Sequence, residues 1–258
     1  MSEDHAKSLK AINPVSRIAF TRALYQQVGR WIERCERVYF VTLISREHSF
    51  SLENAADFDV TILKEWIREI IGARDFVGFI EPAYFYRSPF LEDGQRPHVS
   101  WHSHLLVWNV PPSEMSAKAA ATNSAYETFV PGAKPFHYYT VDNPTALQKL
   151  LYMSKDTLSE YAASPPAPDK IDETTGEIIV ESNGKWRTQK REIRPLALAR
   201  VTTVIGGRSL KNLTIASGEG KQLRTRALLE ARRKLRRSRK IAQRTLEKLL
   251  LASDPQTR

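Results

Sequence analysis

Hydrophobic and polar residues alternate along several short stretches of the chain, most clearly from residue 97 to residue 108. β-Branched and aromatic side chains fill this stretch and prolines stand at both ends, so we predict a β-strand. Successive side chains of a strand point to opposite faces. The odd-numbered positions, mainly Val, Trp and Leu, share one face, which we interpret as core. The opposite face carries three imidazoles, those of His98, His102 and His104.

The same kind of pattern predicts the other elements of a sheet with helices. Strands are predicted at 38–45, 76–86 and 136–141, and helices at 17–37, 60–73 and 142–158. Pro82 lies inside one predicted strand and indicates a distortion there. A turn at 92–95 predicts a hairpin between the strands at 76–86 and 97–108. This order favours an α+β fold with a central, mainly antiparallel sheet and packed helices.

Changes in composition divide the chain into three predicted parts. Residues 1–163 contain all the predicted strands and form the first domain. Residues 164–190 begin with a proline-rich segment and contain two glycine turns, so we interpret them as an exposed loop or linker, with a hairpin as the alternative for 169–190. Residues 191–258 are predicted to form a mostly helical, basic C-terminal region.

Positive charge is concentrated in that C-terminal region. The formal net charge of the chain is +10, and residues 221–240 contain ten Lys or Arg and one Glu. A basic stripe on a helix is typical of a surface that binds a polyanion. A solvated helix face or an anionic membrane surface are the alternatives, but the stripe lacks interleaved acids and bulky aromatic anchors. We therefore favour DNA as the partner, contacted by seven residues: Arg224, Arg226, Arg232, Arg233, Lys234, Arg236 and Arg237.

Composition also indicates where the protein works. Cys35 is the single cysteine, so a disulfide framework within the chain is excluded and a reducing compartment is favoured. The N-terminus is polar and acidic, unlike a secretory signal. The longest apolar runs fall far short of the ~20 residues that a membrane-spanning helix needs. We therefore expect a soluble cytoplasmic protein that does not bind a membrane.

His102 and His104 form a pair with the spacing of a metal site. Residues two apart on a strand lie about 6.6 Å apart along the backbone, so two imidazoles can converge on one ion. The alternative is a pair of half-exposed polar side chains with no ligand.

The predicted helix at 142–158 carries a second group with possible chemistry. Its leucines form one apolar arc, and Tyr161 falls on the same arc if the helix continues. Tyr152 and Lys155 lie beside this arc, three residues apart, so a phenol and an ammonium group can share one site. A tyrosine at the border of a buried face also often serves only in packing.

Three segments in this order resemble the HUH endonuclease superfamily, the Rep and relaxase proteins of rolling-circle replication and plasmid transfer. VYFVTLIS at 38–45 is similar to the first strand motif, WHSHLL at 101–106 to the metal-binding motif, and LYMSK at 151–155 to the nucleophile helix. The resemblance covers roughly residues 38–160. Ser103 stands where the family usually has a hydrophobic residue, but position 103 faces away from the two histidines.

The resemblance implies an HUH/RRM-like catalytic domain at 1–163 that nicks and joins single-stranded or origin DNA. His102 and His104 would hold a divalent metal, Mg²⁺ or Mn²⁺, and mixed imidazole and oxygen ligands suit Mn²⁺ better. Glu81 is the favoured third ligand. His98 is the alternative, although four strand residues place it about 13 Å from His102.

In this interpretation Tyr152 attacks the phosphate and stays linked to the 5′ end, while Lys155 stabilises the developing charge. Replication initiation is the favoured role, and a relaxase or transposase using the same chemistry is the alternative. From another class, the chain could be a non-catalytic DNA-binding regulator whose histidine pair is vestigial or binds structural zinc. The oligomeric state, the DNA target and the metal are not determined by the sequence.

Overall fold

The computed structural model of the chain describes residues 9–88, 97–155, 159–166, 170–171, 178–180 and 185–252. The helices are α1 (Pro14–Ile32), α2 (Val60–Ile71), α3 (Pro112–Ala125), α4 (Asn143–Ser154), α5 (Pro195–Ile205) and α6 (Glu219–Ala252). The strands are β1 (Val38–Ser51), β2 (Phe76–Arg87), β3 (His98–Trp108), β4 (Phe136–Val141), β5 (Ser159–Ser164), β6 (Lys170–Ile171), β7 (Ile178–Val180), β8 (Arg187–Glu192) and β9 (Thr214–Ser217).

A single sheet holds all the strands except β6 and β7, which pair with each other. Its order is β4-β1-β3-β2-β5-β8, and β9 also pairs with β2. Only the β2–β5 pair is parallel among the described strands of this sheet. The predicted α+β class is therefore confirmed, and the sheet is mixed with mainly antiparallel pairs.

Strand β2 remains continuous through its proline because two different strands share one of its edges. β9 pairs with residues 76–79 and β5 with residues 84–87, which leaves a gap between them. The backbone N–H of Ile80 points toward this edge, where it donates to Leu213 O at 2.9 Å. The nitrogen of Pro82, two residues later, points to the same side and faces the gap. The missing N–H therefore costs no ladder bond, and pairing with β3 continues past it without a shift.

The two faces of the sheet are covered by different parts of the chain. Helices α1 and α4 cover the face of the even-numbered β3 residues, where the ring of Phe20 on α1 lies 6.0 Å from that of Phe79 on β2. Helix α6 packs mainly against α1. On the opposite face, Trp101 donates its indole N–H to Ala55 O at 3.2 Å, and its ring lies 6.0 Å from that of Phe58. The central strands are buried on both faces.

Several local predictions differ from the structure: the first helix spans Pro14–Ile32 instead of 17–37, and β1 continues to Ser51 beyond the predicted 38–45. Helix α4 ends at Ser154, since Lys155 already has extended backbone angles, and Tyr161 lies on strand β5 instead of the predicted helical arc. The region from residue 192, predicted as mostly helical, contains β9, which joins the sheet. The predicted loop at 164–190 contains the start of β8, which pairs with β5. The predicted turn at 92–95 lies outside the described residues. Short strands such as β5 and β9 depend on a free edge of β2, which local periodicity does not reveal.

Among the described helices, none combines the length and the apolar content that crossing a lipid bilayer requires.

Candidate metal and tyrosine site

Strand register brings the candidate metal ligands together. Glu81 on β2 lies directly opposite His102 on β3, and His104 follows two residues later on the same face. Directly opposite residues in an antiparallel pair have Cβ atoms about 4.5–5.5 Å apart. The hairpin of β2 and β3 therefore places one carboxylate and two imidazoles at one point of the sheet.

These three side chains form a group that could hold a metal ion. Their ligand atoms all lie within 4.8 Å of one another. Glu81 Oε1 is 3.2 Å from His104 Nε2 and 3.8 Å from His102 Nε2. Ligands bound to one ion at about 2.1 Å are separated by roughly 3.0–3.4 Å, so small inward movements suffice. The donor set of two nitrogens and one oxygen fits a divalent transition metal or zinc.

The second nitrogen of each imidazole has a partner that orients the ring. His104 Nδ1 is 2.9 Å from Thr42 Oγ1, because Thr42 on β1 lies directly opposite His104. His102 Nδ1 is 3.3 Å from Ser100 O. When each Nδ1–H donates to its partner, Nε2 keeps a free lone pair on the side of Glu81, where an ion could bind. This is the support that metal-binding histidines usually receive.

Burial determines the protonation of the group. Desolvation raises the pKa of Glu81 to about 7, against the opposing effect of Lys155, Arg17 and Lys190. Desolvation lowers the pKa of His102 to about 4, and lowers that of His104 well below its ordinary value. Both rings are therefore neutral at pH 7, which is the form that binds metals.

Tyr152 lies beside this group. Its ring is 5.7 Å from that of His104 in an edge-to-face arrangement. The ammonium group of Lys155 lies 4.1 Å from the centre of the Tyr152 ring. The predicted pairing of phenol and ammonium is thus present, although Lys155 caps the helix instead of lying within it. Arg17 on α1 holds this end of α4 by donating to Ser154 O at 3.2 Å and to Lys155 O at 2.9 Å.

Several residues near Tyr152 were not singled out from the sequence. Lys149 on α4 and Lys190 on β8 place their ammonium groups 5.8 and 5.5 Å from the centre of the Tyr152 ring. Lys149 is one turn from Tyr152 on a predicted helix, so helical spacing could have indicated it. Lys190, Thr42 and Arg17 reach the site through long-range packing and carry no local sequence signal.

The alternative third ligand, His98, lies elsewhere on the sheet. It stands opposite Phe85, four residues along β2 from Glu81. Its Nδ1 is 2.7 Å from Ser88 Oγ, and its ring is stacked on that of Phe85 at 4.9 Å. The group that could hold a metal ion therefore contains Glu81 and excludes His98.

The seven predicted DNA-binding residues all lie on α6, and they differ in exposure. Arg224 and Arg232 are partly buried, and Arg224 donates to Thr214 O at 3.1 Å. Lys234 is paired with Glu230 at 2.8 Å. The exposed members are Arg226, Arg233, Lys234, Arg236 and Arg237. From residue 236 to residue 245 every side chain is exposed, so this part of α6 presents its cations to solvent.

The chain matches no protein-family model, no curated protein and no solved structure. The function of the site is therefore inferred from its geometry and its chemistry.

Proposed function

We propose that the protein is a metal-dependent endonuclease and strand transferase that acts on single-stranded DNA, with Tyr152 as its nucleophile. The observation that carries this proposal is the position of the Tyr152 ring, 5.7 Å from the ring of His104 and beside the Glu81, His102 and His104 group. A structural metal site has no need of an adjacent phenol surrounded by ammonium groups. The favoured biological role is initiation of rolling-circle-type replication, with relaxase or transposase activity as the alternative.

The strand order supports the HUH/RRM-like placement of the domain. Elements β1, α2, β2, β3, α3 and β4 follow one another in the chain, and their strands are ordered β4-β1-β3-β2 in the sheet. This is the split βαβ arrangement. In the proposed HUH domain the histidine pair occupies a central strand, and the helix that follows β4 carries the tyrosine.

The residues around Tyr152 suit cleavage of a phosphodiester by transesterification. The phenol oxygen attacks phosphorus and forms a new P–O bond, while the bond from phosphorus to the 3′ oxygen breaks. The phenol proton ends on that 3′ oxygen, which leaves a free 3′-OH and a 5′-phosphotyrosine. A bound divalent ion supplies charge neutralisation at the phosphate. Lys155 is placed to stabilise the negative charge that develops on phosphate or phenolate.

An adduct between protein and DNA tests this proposal directly. A pool of single-stranded oligonucleotides with a randomised centre and a 3′ label is incubated with the protein and Mn²⁺. We expect a labelled band that survives denaturation, and mass spectrometry should place the DNA on Tyr152. Tyr152→Phe should abolish the band. The matched control is Tyr25→Phe, which removes a hydroxyl from an exposed tyrosine on α1 and should keep the band. A band of equal intensity from Tyr152→Phe would refute the tyrosine nucleophile.

A non-catalytic DNA-binding protein with a structural zinc ion is the second candidate. The burial of the three ligands favours it, because their side chains are only 11–19% exposed. In that case zinc should raise the melting temperature strongly and EDTA should lower it, while no covalent DNA band forms with any divalent metal.

A further inference from the structure

Tyrosine rings and lysine ammonium groups alternate along the face of the sheet that carries the metal-binding group. We call this set the tyrosine–lysine strip, and it consists of Tyr139, Lys149, Tyr152, Lys155, Lys190 and Tyr161. Lys149 lies 5.6 Å from the ring centre of Tyr139 and 5.8 Å from that of Tyr152. Lys190 lies 5.5 Å from the ring centre of Tyr152 and 6.0 Å from that of Tyr161.

The strip extends from one edge of the sheet to the other. Tyr139 lies on the edge strand β4, opposite Phe40 of β1. Lys190 lies on the edge strand β8, opposite Tyr161 of β5, which in turn lies opposite Phe85 of β2. Tyr152 lies over the strands between these two edges, so the strip continues on both sides of it.

The carboxylate of Glu81 acts on Lys155 and Lys190 through space but does not pair with them directly. Lys149, Lys155 and Lys190 all place their ammonium groups within 6 Å of the centre of the Tyr152 ring. Among the described residues, none of the three forms an ion pair with a carboxylate. Three cations around one ring repel one another, and an anion between them would relieve this repulsion.

We propose that the tyrosine–lysine strip binds a single strand of DNA on both sides of Tyr152, with the Tyr139 and Lys190 ends holding opposite flanks. The inference rests on the proposed function, since it takes the strand that Tyr152 cuts as the ligand. Tyrosine faces stack on unpaired bases whatever their sequence, and ammonium groups contact the phosphates between them. A duplex keeps its bases stacked internally and offers no base faces to these rings.

Metal-free protein that carries Tyr152→Phe provides the test, because it keeps the ring and does not cut. Binding of dye-labelled dT12 is measured by fluorescence anisotropy over a range of salt concentrations. Lys190→Ala should weaken binding about fivefold or more and reduce the slope of log affinity against log salt by about 0.7, the value for one phosphate contact to a single strand. Lys190→Arg should restore both. Tyr139→Ala should weaken binding about fivefold or more without changing the slope.

Matched controls separate the strip from general surface effects. Tyr25 is 37% exposed, as is Tyr139, and it lies on α1, while Lys211 is an exposed lysine outside the strip. Tyr25→Ala and Lys211→Ala should leave dT12 binding unchanged. The losses of dT12 affinity caused by Tyr139→Ala and Lys190→Ala should multiply when the two changes are combined. Each single change should weaken the binding of dT3 less than that of dT12, because so short a strand can bind at the end of the strip that is still intact. Equal losses on dT3 and dT12, or an unchanged salt slope with Lys190→Ala, would overturn the inference.

These measurements are independent of DNA cutting. If no covalent band forms while the strip variants weaken dT12 binding as expected, the proposed enzymatic function fails and the binding strip remains. If the covalent band forms while the strip variants bind dT12 normally, the strip fails and the enzymatic function remains.

Discussion

Replacing Thr42 with valine tests whether the hydrogen bond between Thr42 and His104 supports metal binding at the candidate site. The Thr42 hydroxyl lies 2.9 Å from His104 Nδ1, and the opposite nitrogen of the ring faces Glu81. Valine nearly matches threonine in volume but cannot accept a hydrogen bond. The buried Nδ1–H that metal binding requires would then lack its acceptor.

The expected loss follows from the value of one buried hydrogen bond. A typical neutral bond contributes about 1 kcal/mol, and loss of a supporting partner commonly lowers metal affinity about 10–100-fold. Since the Nδ1–H partner is a neutral hydroxyl, we expect the lower end of that range. Thr42→Val should therefore weaken Mn²⁺ binding about tenfold, which corresponds to about 1.4 kcal/mol.

Calorimetric titration with Mn²⁺ measures this difference. Thr42→Ser keeps the hydroxyl and should bind close to the parent, while His104→Ala removes a ligand and should bind far more weakly than Thr42→Val. Urea unfolding of each metal-free variant shows whether the fold is retained. Parent-like affinity in Thr42→Val, with affinity lost in His104→Ala, would refute the supporting role of Thr42. Parent-like affinity in both variants would refute the metal site itself.

Three further predictions concern stability. Burial lowers the pKa of His48 from 6.5 to about 4, so unfolding takes up a proton between these values and stability falls as the pH drops through that window. At pH 5 this amounts to about 2 kcal/mol of unfolding free energy, so urea unfolding should show that the loss of stability between pH 7 and pH 5 is larger in the parent than in His48→Phe by about this amount. The fully buried carboxylate of Glu160 is paired with Arg191 at 2.6 Å and with Arg194 at 2.7 Å. Replacing both arginines with alanine should lower the free energy of unfolding by about 3 kcal/mol or more, and clearly more than either single change, in the same urea assay. A Cβ on Gly220 would overlap the backbone of β2, so Gly220→Ala should loosen the first turn of α6 and lower the free energy of unfolding by about 1–3 kcal/mol. An unchanged melting temperature would contradict this prediction.

The sequence was most informative where the chemistry is local. The two-residue repeat of a strand puts His102 and His104 on one face whatever the strand pairs with. The predicted hairpin and the family resemblance together favoured Glu81 as their partner, and the structure brings the three together. Helical spacing similarly put Tyr152 near Lys155, although the helix ends just before the lysine.

The sequence was least informative where a residue reaches the site from a distant segment. Thr42 and His104 are 62 residues apart in the chain, and Arg17 and Lys155 are 138 apart. Helical spacing predicts Tyr161 on a helical face, but it lies on β5 because that segment completes an open edge of β2. The neighbours of such a segment depend on which edges remain free after the rest of the chain has packed.

By itself, then, the sequence determined the α+β class, the common face of the two imidazoles and the basic character of α6. These follow from backbone geometry and composition, which act over a few residues. Only the tertiary structure decided that Thr42 orients His104, that His98 lies apart from the metal-binding group, and that Lys190 approaches Tyr152. Those outcomes depend on the register and order of strands far apart in the chain, which burial of the whole core selects.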